Sequence, residues 1–261
     1  MANITFVALV SNEYRSVFDK NLSISPPLKK IYNNELIVIN DFSLEKPCVS
    51  LNKAIEDSKN DIIVFVQADV YLPEHWDSKL HEIIKNIKDG GNLNWCVLGI
   101  FGISKDNVYA GHLYSNGLQK ELGKHKPPIE AIAIDETLFV LNKKTGVRFD
   151  DNFPYLYLYG NDLLLTASGI GCKNYVICNF LVHNSLTRMR SHKNCLKSVE
   201  YFRRKWKNKL PFITPYIGVY SFRLKNYYYK FKKDLKYLIR DDDLIVKVHH
   251  RDPSSIKPEN V

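Results

Sequence analysis

The apolar run Ile62-Ile-Val-Phe-Val66 constrains this 261-residue chain more than any other stretch. It is mostly β-branched, shows no polar alternation and follows a polar, helix-like segment. Those features predict a strand buried on both faces, as in a parallel sheet covered by helices. The run stops at Gln67-Ala68-Asp69, and Pro73-Glu74 then open a helix. A carboxylate where a buried strand ends lies at the carboxyl edge of the sheet, where open α/β sheets bind their ligands. Asp69 is therefore expected to be a metal ligand or phosphate-site carboxylate. A helix cap or turn residue is the competing structural role.

The flanking chain repeats this grammar. Ile4–Val10 reads as a first buried strand, followed by Ser11-Asn-Glu-Tyr-Arg15, and Leu36–Ile39 as a second strand, ended by Asn40-Asp41. Ser50–Lys59 reads as a short amphipathic helix with Ser50 as a possible cap, and Glu74–Lys88 as a longer one ended by Gly90-Gly91. Strand–helix alternation argues for an α/β fold with a doubly wound, mostly parallel sheet. Trp95–Phe101 is expected as one strand, Gly102–Pro128 as a loop or weak hairpin, and Ile129–Leu141 as extended chain. Asp162–Ser168 follows as a helix and Tyr175–Cys178 as the last strand before Leu181-Val-His-Asn-Ser185.

Hydrophobic residues make up 45 %, enough for a sizeable core, and no apolar run approaches the roughly 20 residues that span a bilayer. The N-terminus runs straight into a strand pattern without a basic, apolar leader. The five cysteines, Cys48, Cys96, Cys172, Cys178 and Cys195, are odd in number and lack CxxC spacing. They are expected as reduced thiols of a cytoplasmic protein. The net charge of +9 is uneven. Residues 1–185 carry 18 Lys and Arg against 21 Asp and Glu, whereas residues 186–240 carry 16 against 2. Two parts are expected, a near-neutral body over 1–185 and a basic, aromatic-rich, largely helical extension over 186–261. That asymmetry points to an anionic partner for the extension.

Leu36-Ile-Val-Ile-Asn-Asp41, Asn52-Lys-Ala54, the strand into Gln67-Ala-Asp69, Gly160-Asn-Asp162-Leu-Leu-Leu165 and His183-Asn-Ser185 follow one another in a familiar order. The series resembles a family-2-type glycosyltransferase with the GT-A fold, in the bacterial branch that works on capsule and lipopolysaccharide sugars. The resemblance spans residues 4–185. It implies a nucleoside-diphosphate sugar donor such as a UDP-sugar, a Mn²⁺ or Mg²⁺ ion, and inverting transfer to a hydroxyl of a glycan or lipid-linked acceptor. Two positions depart from the family's pattern. Gln67 stands where the first carboxylate of Asp-x-Asp is usual, and Asn161 where the glutamate of Glu-Asp is usual.

By the same resemblance, Asp69 and His183 would hold the metal against the donor's phosphates, and Asp162 would be the general base that takes the acceptor's proton. The structural alternatives are a turn residue, a histidine at a strand end and a helix cap. Val10, Ser11, Asn12, Asp41, Asn52 and Gln67 would face the nucleotide, with Asp41 accepting from a uracil N–H or a ribose hydroxyl. Loop polarity and helix surface are the plain alternatives, Glu13 being placed with the loop. Asp135 and Glu136 fall where the family tends to bind the sugar or acceptor.

In the extension, basic residues interleave with Tyr201, Phe202, Trp206, Tyr227, Tyr228 and Tyr229. Such a stretch suits anionic lipid headgroups, so an enzyme docked peripherally at the inner membrane face is expected. Alternatively, the aromatics pack on the body. Two other functions compete. A basic module gripping nucleic acid or an anionic surface without catalysis is opposed by the near-neutral body, so no nucleic-acid partner is expected. A nucleotidyltransferase is opposed by the absence of glycine in Ser11–Arg15. Oligomeric state, donor sugar and linkage stay open.

Overall fold

The computed structural model describes residues 3–29, 33–43, 45–123, 128–185, 193–221 and 252–258. Strand β1 (Ile4–Leu9), helix α1 (Arg15–Lys20), strand β2 (Glu35–Ile39), helix α2 (Pro47–Asp57) and strand β3 (Ile62–Val66) come first. The three strands are parallel, with β1 between β2 and β3. The short β4 (Val70–Tyr71) and helix α3 (Trp76–Asp89) follow. Then come β5 (Trp95–Gly99), β6 (Phe101–Ser104), β7 (Tyr109–Ser115), β8 (Lys120–Gly123), β9 (Ile129–Ile134) and β10 (Leu138–Asn142). Helix α4 (Tyr159–Gly169) and strands β11 (Lys173–Val176) and β12 (Leu181–His183) complete the body, and helix α5 (Lys193–Lys205) belongs to the extension.

The strands form one 12-stranded sheet in the order β2-β1-β3-β10-β5-β11-β9-β6-β7-β12-β4, with β8 added on β7. Most strands share the sense of β1, and β7, β9, β10 and β12 oppose it. The unbroken apolar run is explained by two cores. Ile63 and Phe65 face one core with α2 and α4, while Ile62, Val64 and Val66 face the other with α3. Successive side chains of a strand point to opposite faces, so a strand covered by helices on both sides has no polar position to offer. This is the doubly wound α/β arrangement expected from the strand–helix alternation.

Differences from the sequence reading have local causes. The expected strand Trp95–Phe101 divides at Ile100, where the chain changes partners: β5 pairs with β10 and β11, β6 with β7 and β9. The segment expected as a loop or weak hairpin contains three strands, β6, β7 and β8. Its crossing depends on Gly111, at φ +106°, where a β-carbon would run into the Ile100 carbonyl. Helix α2 starts at Pro47, three residues before Ser50, because proline is preset for the first helical position.

The described part of the extension packs on the body. Cys195, Val199 and Phe202 of α5, with Phe212 and Val219 beyond it, join the core that α2 and α4 share. Tyr201 meets Phe153 edge to face, with ring centroids 5.2 Å apart. Arg188, Arg190 and most of the expected membrane-facing stretch after Ser221 lie outside the described residues. No helix among the described residues is long and apolar enough to cross a membrane.

Candidate active site at the carboxyl edge of the sheet

Asp69 follows the turn that ends β3, immediately before β4. His183 is the last residue of β12, which pairs antiparallel with β4 so that His183 lies opposite Val70. That register brings two residues 114 positions apart to one point, with Asp69 Oδ2 3.4 Å from His183 Nε2. Both side chains are partly exposed, at 17 % and 18 %. Burial pushes the Asp69 carboxyl up, but the facing His183 and a bond from Ser185 pull it below its ordinary value. Burial works against the charged imidazole of His183, and Asp69 overrides it, so His183 is raised.

A buried amide relay fixes the pair. The Asn184 backbone N–H donates to the Asp69 carbonyl at 2.8 Å. Its side chain donates to Asn21 Oδ1 at 2.7 Å and accepts from Asn116 Nδ2 at 2.8 Å. Asn21 donates in turn to the Val17 carbonyl at 2.8 Å. Buried amides need such partners, and each link removes freedom from the segment that carries His183. Asn21 and Asn116 have no sequence signature, because their partner is 163 or 68 residues away.

The expected nucleotide residues line up along the same edge, at the ends of three parallel strands. Val10 is buried after β1 and donates its N–H to the Ile39 carbonyl at 2.9 Å. Ser11 and Asn12 lead into a short 3-10 turn and Asp41 is exposed just past β2. Gln67 directly follows β3, exposed, with its backbone N–H on the Thr137 carbonyl at 3.0 Å. Asn52 is spent differently. Its Nδ2 donates to the Phe149 carbonyl at 2.9 Å and to Asp151 at 2.8 Å, and its Oδ1 accepts the Phe149 N–H at 2.9 Å. It latches the loop after β10 onto α2.

Asp162 lies in the first turn of α4, 1 % exposed. The Lys205 ammonium reaches both of its oxygens at 2.9 Å, and Trp206 Nε1 donates to Oδ1 at 2.8 Å. Lys205 also donates to Asp150 at 2.7 Å, where the Tyr201 hydroxyl donates at 2.9 Å. Burial raises the Asp162 carboxyl above its ordinary range, and Lys205 and Trp206 restrain that rise.

Glu136 does what a cap on α4 would otherwise do. Its carboxylate accepts N–H bonds from Leu158 at 2.9 Å, Gly160 at 2.7 Å and Asn161 at 3.3 Å. A helix start leaves such N–H groups without partners, and a carboxylate suits its positive end. This explains why α4 begins at Tyr159, three residues before Asp162. Burial raises Glu136 to about 7, with the three N–H donors opposing it. Asn161 is not a free acid-pair partner: its amide mimics a strand, bonding the Ile134 N–H at 2.9 Å and the Ile134 carbonyl at 3.0 Å.

Among the described residues, no cluster of three or more His, Cys, Asp and Glu could hold an ion. Asp69 and His183 nevertheless fit one. Adjacent ligands of Mg²⁺ or Mn²⁺ sit about 3 Å apart for bonds of about 2.1 Å, and a carboxylate with an imidazole suits such an ion when phosphate and water oxygens complete it.

No family model matches the sequence, and no curated protein sequence matches it significantly. Solved structures do resemble the fold. GalNAc-T7, determined with UDP, GalNAc and Mn²⁺, aligns with a TM-score of 0.53 at 12 % identity, over 80 % of this chain and 50 % of that one. The mannosyltransferase PcManGT of Pyrobaculum calidifontis, in complex with GDP-Man and Mn²⁺, aligns at 0.48 and 8 %, over 80 % and 64 %. Residues 1–349 of S. aureus TarS align at 0.41 and 12 %, over 67 % and 57 %. This chain therefore spans about half the length of GalNAc-T7. At such identity the likeness concerns architecture: the sheet and its covering helices have the GT-A-type α/β fold.

Proposed function

We propose that this chain is a metal-dependent, inverting glycosyltransferase that moves a sugar from a nucleoside-diphosphate donor to a hydroxyl of a glycan or lipid-linked acceptor, in surface-polysaccharide assembly. The observation that carries the reading is the Asp69–His183 pair, 3.4 Å apart at the carboxyl edge of a GT-A-type sheet. The acceptor oxygen attacks the anomeric carbon from the face opposite the diphosphate. The carbon–oxygen bond to the diphosphate breaks, and the hydroxyl proton passes to a base. Asp69 and His183 would hold a Mg²⁺ or Mn²⁺ ion, which would supply positive charge where the leaving diphosphate gains negative charge. Asp41, Ser11 and Asn12 lie along the edge that the nucleoside would occupy. UDP is the first nucleotide to test, since GalNAc-T7 was determined with it. Calorimetry of UDP with Mn²⁺ and with EDTA checks the reading, and tighter binding with Mn²⁺ is expected. Equal affinity in both would remove the metal from it.

The base is a separate matter. Asp162 fits the role by its place before α4, yet Lys205 and Trp206 already occupy its carboxylate. Those contacts favour a second reading, in which Asp162 anchors α5 and the base is elsewhere. Asp162→Asn separates the two. A base lost should cost roughly 10²–10⁴-fold in turnover with UDP affinity kept, whereas an anchor lost lowers the melting temperature and leaves the remaining folded enzyme active.

A further inference from the structure

Among the described residues β4 is the terminal strand of the sheet, and it is two residues long. Its pairing with β12 joins Val182 to Tyr71 and His183 to Val70. Residues paired across two strands share a face, and successive residues alternate. His183 and Val70 therefore face one way, with Val70 in the core that α3 covers. Val182 and Tyr71 face the other way, into a small separate cluster with Phe180. A slip of one residue would send His183 to that second face and away from Asp69. Register is specified where an apolar face is buried, so whatever covers Val182 and Tyr71 bears on the Asp69–His183 pair.

Residues 252–258 supply part of that cover. Ile256 packs against the cluster of Tyr71, Phe180 and Val182. Pro253 is buried, and Asp252 comes within electrostatic reach of Tyr71. Val182 is fully buried and Tyr71 nearly so, although their strands lie at the end of the sheet. The segment holds its own shape. The Asp252 carboxylate accepts the Ser254 N–H at 3.0 Å and the Ser254 hydroxyl at 2.7 Å. The Ser255 hydroxyl donates to the Asp252 carbonyl at 2.6 Å, and the Ile256 N–H to the Pro253 carbonyl at 3.3 Å. A turn ordered by its own bonds loses less freedom on docking, so a small apolar contact suffices to seat it.

We propose that residues 252–258 form a strap that holds the β4–β12 register, which makes Ile256 a positioning residue for the Asp69–His183 pair. The role rests on the reading of that pair as metal ligands and adds what keeps the two facing each other. The amide relay through Asn184 fixes the chain just after β12. The strap acts on the face behind His183, where the relay does not reach. An ion that binds only the correct register favours the docked strap, and the docked strap favours the ion by the same factor.

Calorimetry of UDP on the full chain, with Mn²⁺ and with EDTA, tests this in the wild type, Ile256→Asp and Ile256→Val. Groups that orient a metal ligand contribute roughly 10–100-fold to metal affinity. Ile256→Asp should therefore lose roughly tenfold of the tightening that Mn²⁺ brings, with UDP affinity in EDTA kept and Ile256→Val close to wild type. A lower melting temperature with the Mn²⁺ tightening intact would make Ile256 a packing residue only and overturn the strap. An equal loss in Mn²⁺ and in EDTA overturns it as well. Hydrogen exchange on the wild-type chain keeps the test alive should Ile256→Asp not fold. Because the coupling is reciprocal, UDP with Mn²⁺ should slow exchange at the Ile256 amide. Unchanged exchange there overturns the strap, and leaves the metal reading standing where the Asn184 amide is slowed. A wild-type chain that binds UDP equally with Mn²⁺ and with EDTA removes the metal reading and the strap together.

Discussion

Asp69 lies in the turn after a strand and Asp162 in the first turn of a helix, and the fold treats the two carboxylates in opposite ways. Asp69 keeps 17 % of its side chain open and faces one imidazole at 3.4 Å, longer than a good hydrogen bond. Asp162 keeps 2 % open and is met by an ammonium and an indole N–H. A partly open carboxylate that meets a histidine and a serine retains lone pairs for an incoming cation. One held by Lys205 and Trp206 has its charge neutralised by the chain itself. The contrast teaches that position at a strand or helix end identifies candidates, and that the long-range partners decide which of them is available.

Removing Asp69 should have the largest effect. Asp69→Asn or His183→Ala takes one of two donors from the proposed ion, which contributes several kcal/mol of charge stabilisation. Transfer should fall by roughly 10²–10³-fold, and Mn²⁺ should no longer tighten UDP binding in calorimetry. A variant that keeps the Mn²⁺ dependence would show that the pair is structural and would erase the contrast with Asp162.

The same contrast explains what was legible in the sequence. Ile62–Val66 revealed its strand because burial on both faces writes an unbroken apolar run. Asp69 and His183 were legible as candidates because each falls at a strand boundary. Asn21, Asn116 and Lys205 were not, since their roles exist only once residues 43 to 163 positions away are folded against them. The strands β6 to β8 were hidden for a related reason: their neighbours β9 and β12 come later in the chain, and glycine and polar residues weaken the local pattern. Asn161 and Asp162 were read as an acid-pair remnant. Their adjacency in sequence conceals that one bonds a strand and the other a helix.

Lys205 tests the closed side of the comparison. Lys205→Met leaves Asp162 with Trp206, and Asp150 with Tyr201 and the Asn152 N–H. Breaking a buried pair costs 3–5 kcal/mol; because the ammonium is 29 % exposed, the low end, about 3 kcal/mol, is expected. Urea unfolding measures it. Lys205→Met with Asp162→Leu should be less destabilised than the sum of the single changes, by about 1–2 kcal/mol. Strict additivity would mean that Asp162 and Lys205 do not depend on each other.

Glu136 sharpens the comparison through pH. Its folded value is raised to about 7 from an ordinary 4.5 by burial. Between those values the folded chain binds a proton that the unfolded chain has released. The associated stability is therefore full below about pH 4.5 and is lost as pH rises through 7, by up to about 3 kcal/mol. Glu136→Gln should flatten that slope. It should also cost about 1–2 kcal/mol at pH 7, because an amide accepts fewer of the N–H bonds at the start of α4. A slope of the same size in the variant would place the titrating group elsewhere.

Asn52 offers the smallest effect and links the two sites. Its amide makes three bonds to the Phe149–Asp151 loop, and that loop carries Asp150, the second carboxylate on Lys205. Asn52→Ala should destabilise the chain by about 1–2 kcal/mol, because the bonds are partly solvated and each contributes about 1 kcal/mol or less. Hydrogen exchange at the Phe149 amide should quicken first, since Asn52 Oδ1 is its acceptor. Loosening the loop should then weaken the hold of Asp150 on Lys205, so Lys205→Met should cost less in the Asn52→Ala background. An unchanged Phe149 amide together with a fall in UDP affinity would return Asn52 to the nucleotide edge, beside Asp41 and Ser11, and would widen the open site at the expense of the closed one.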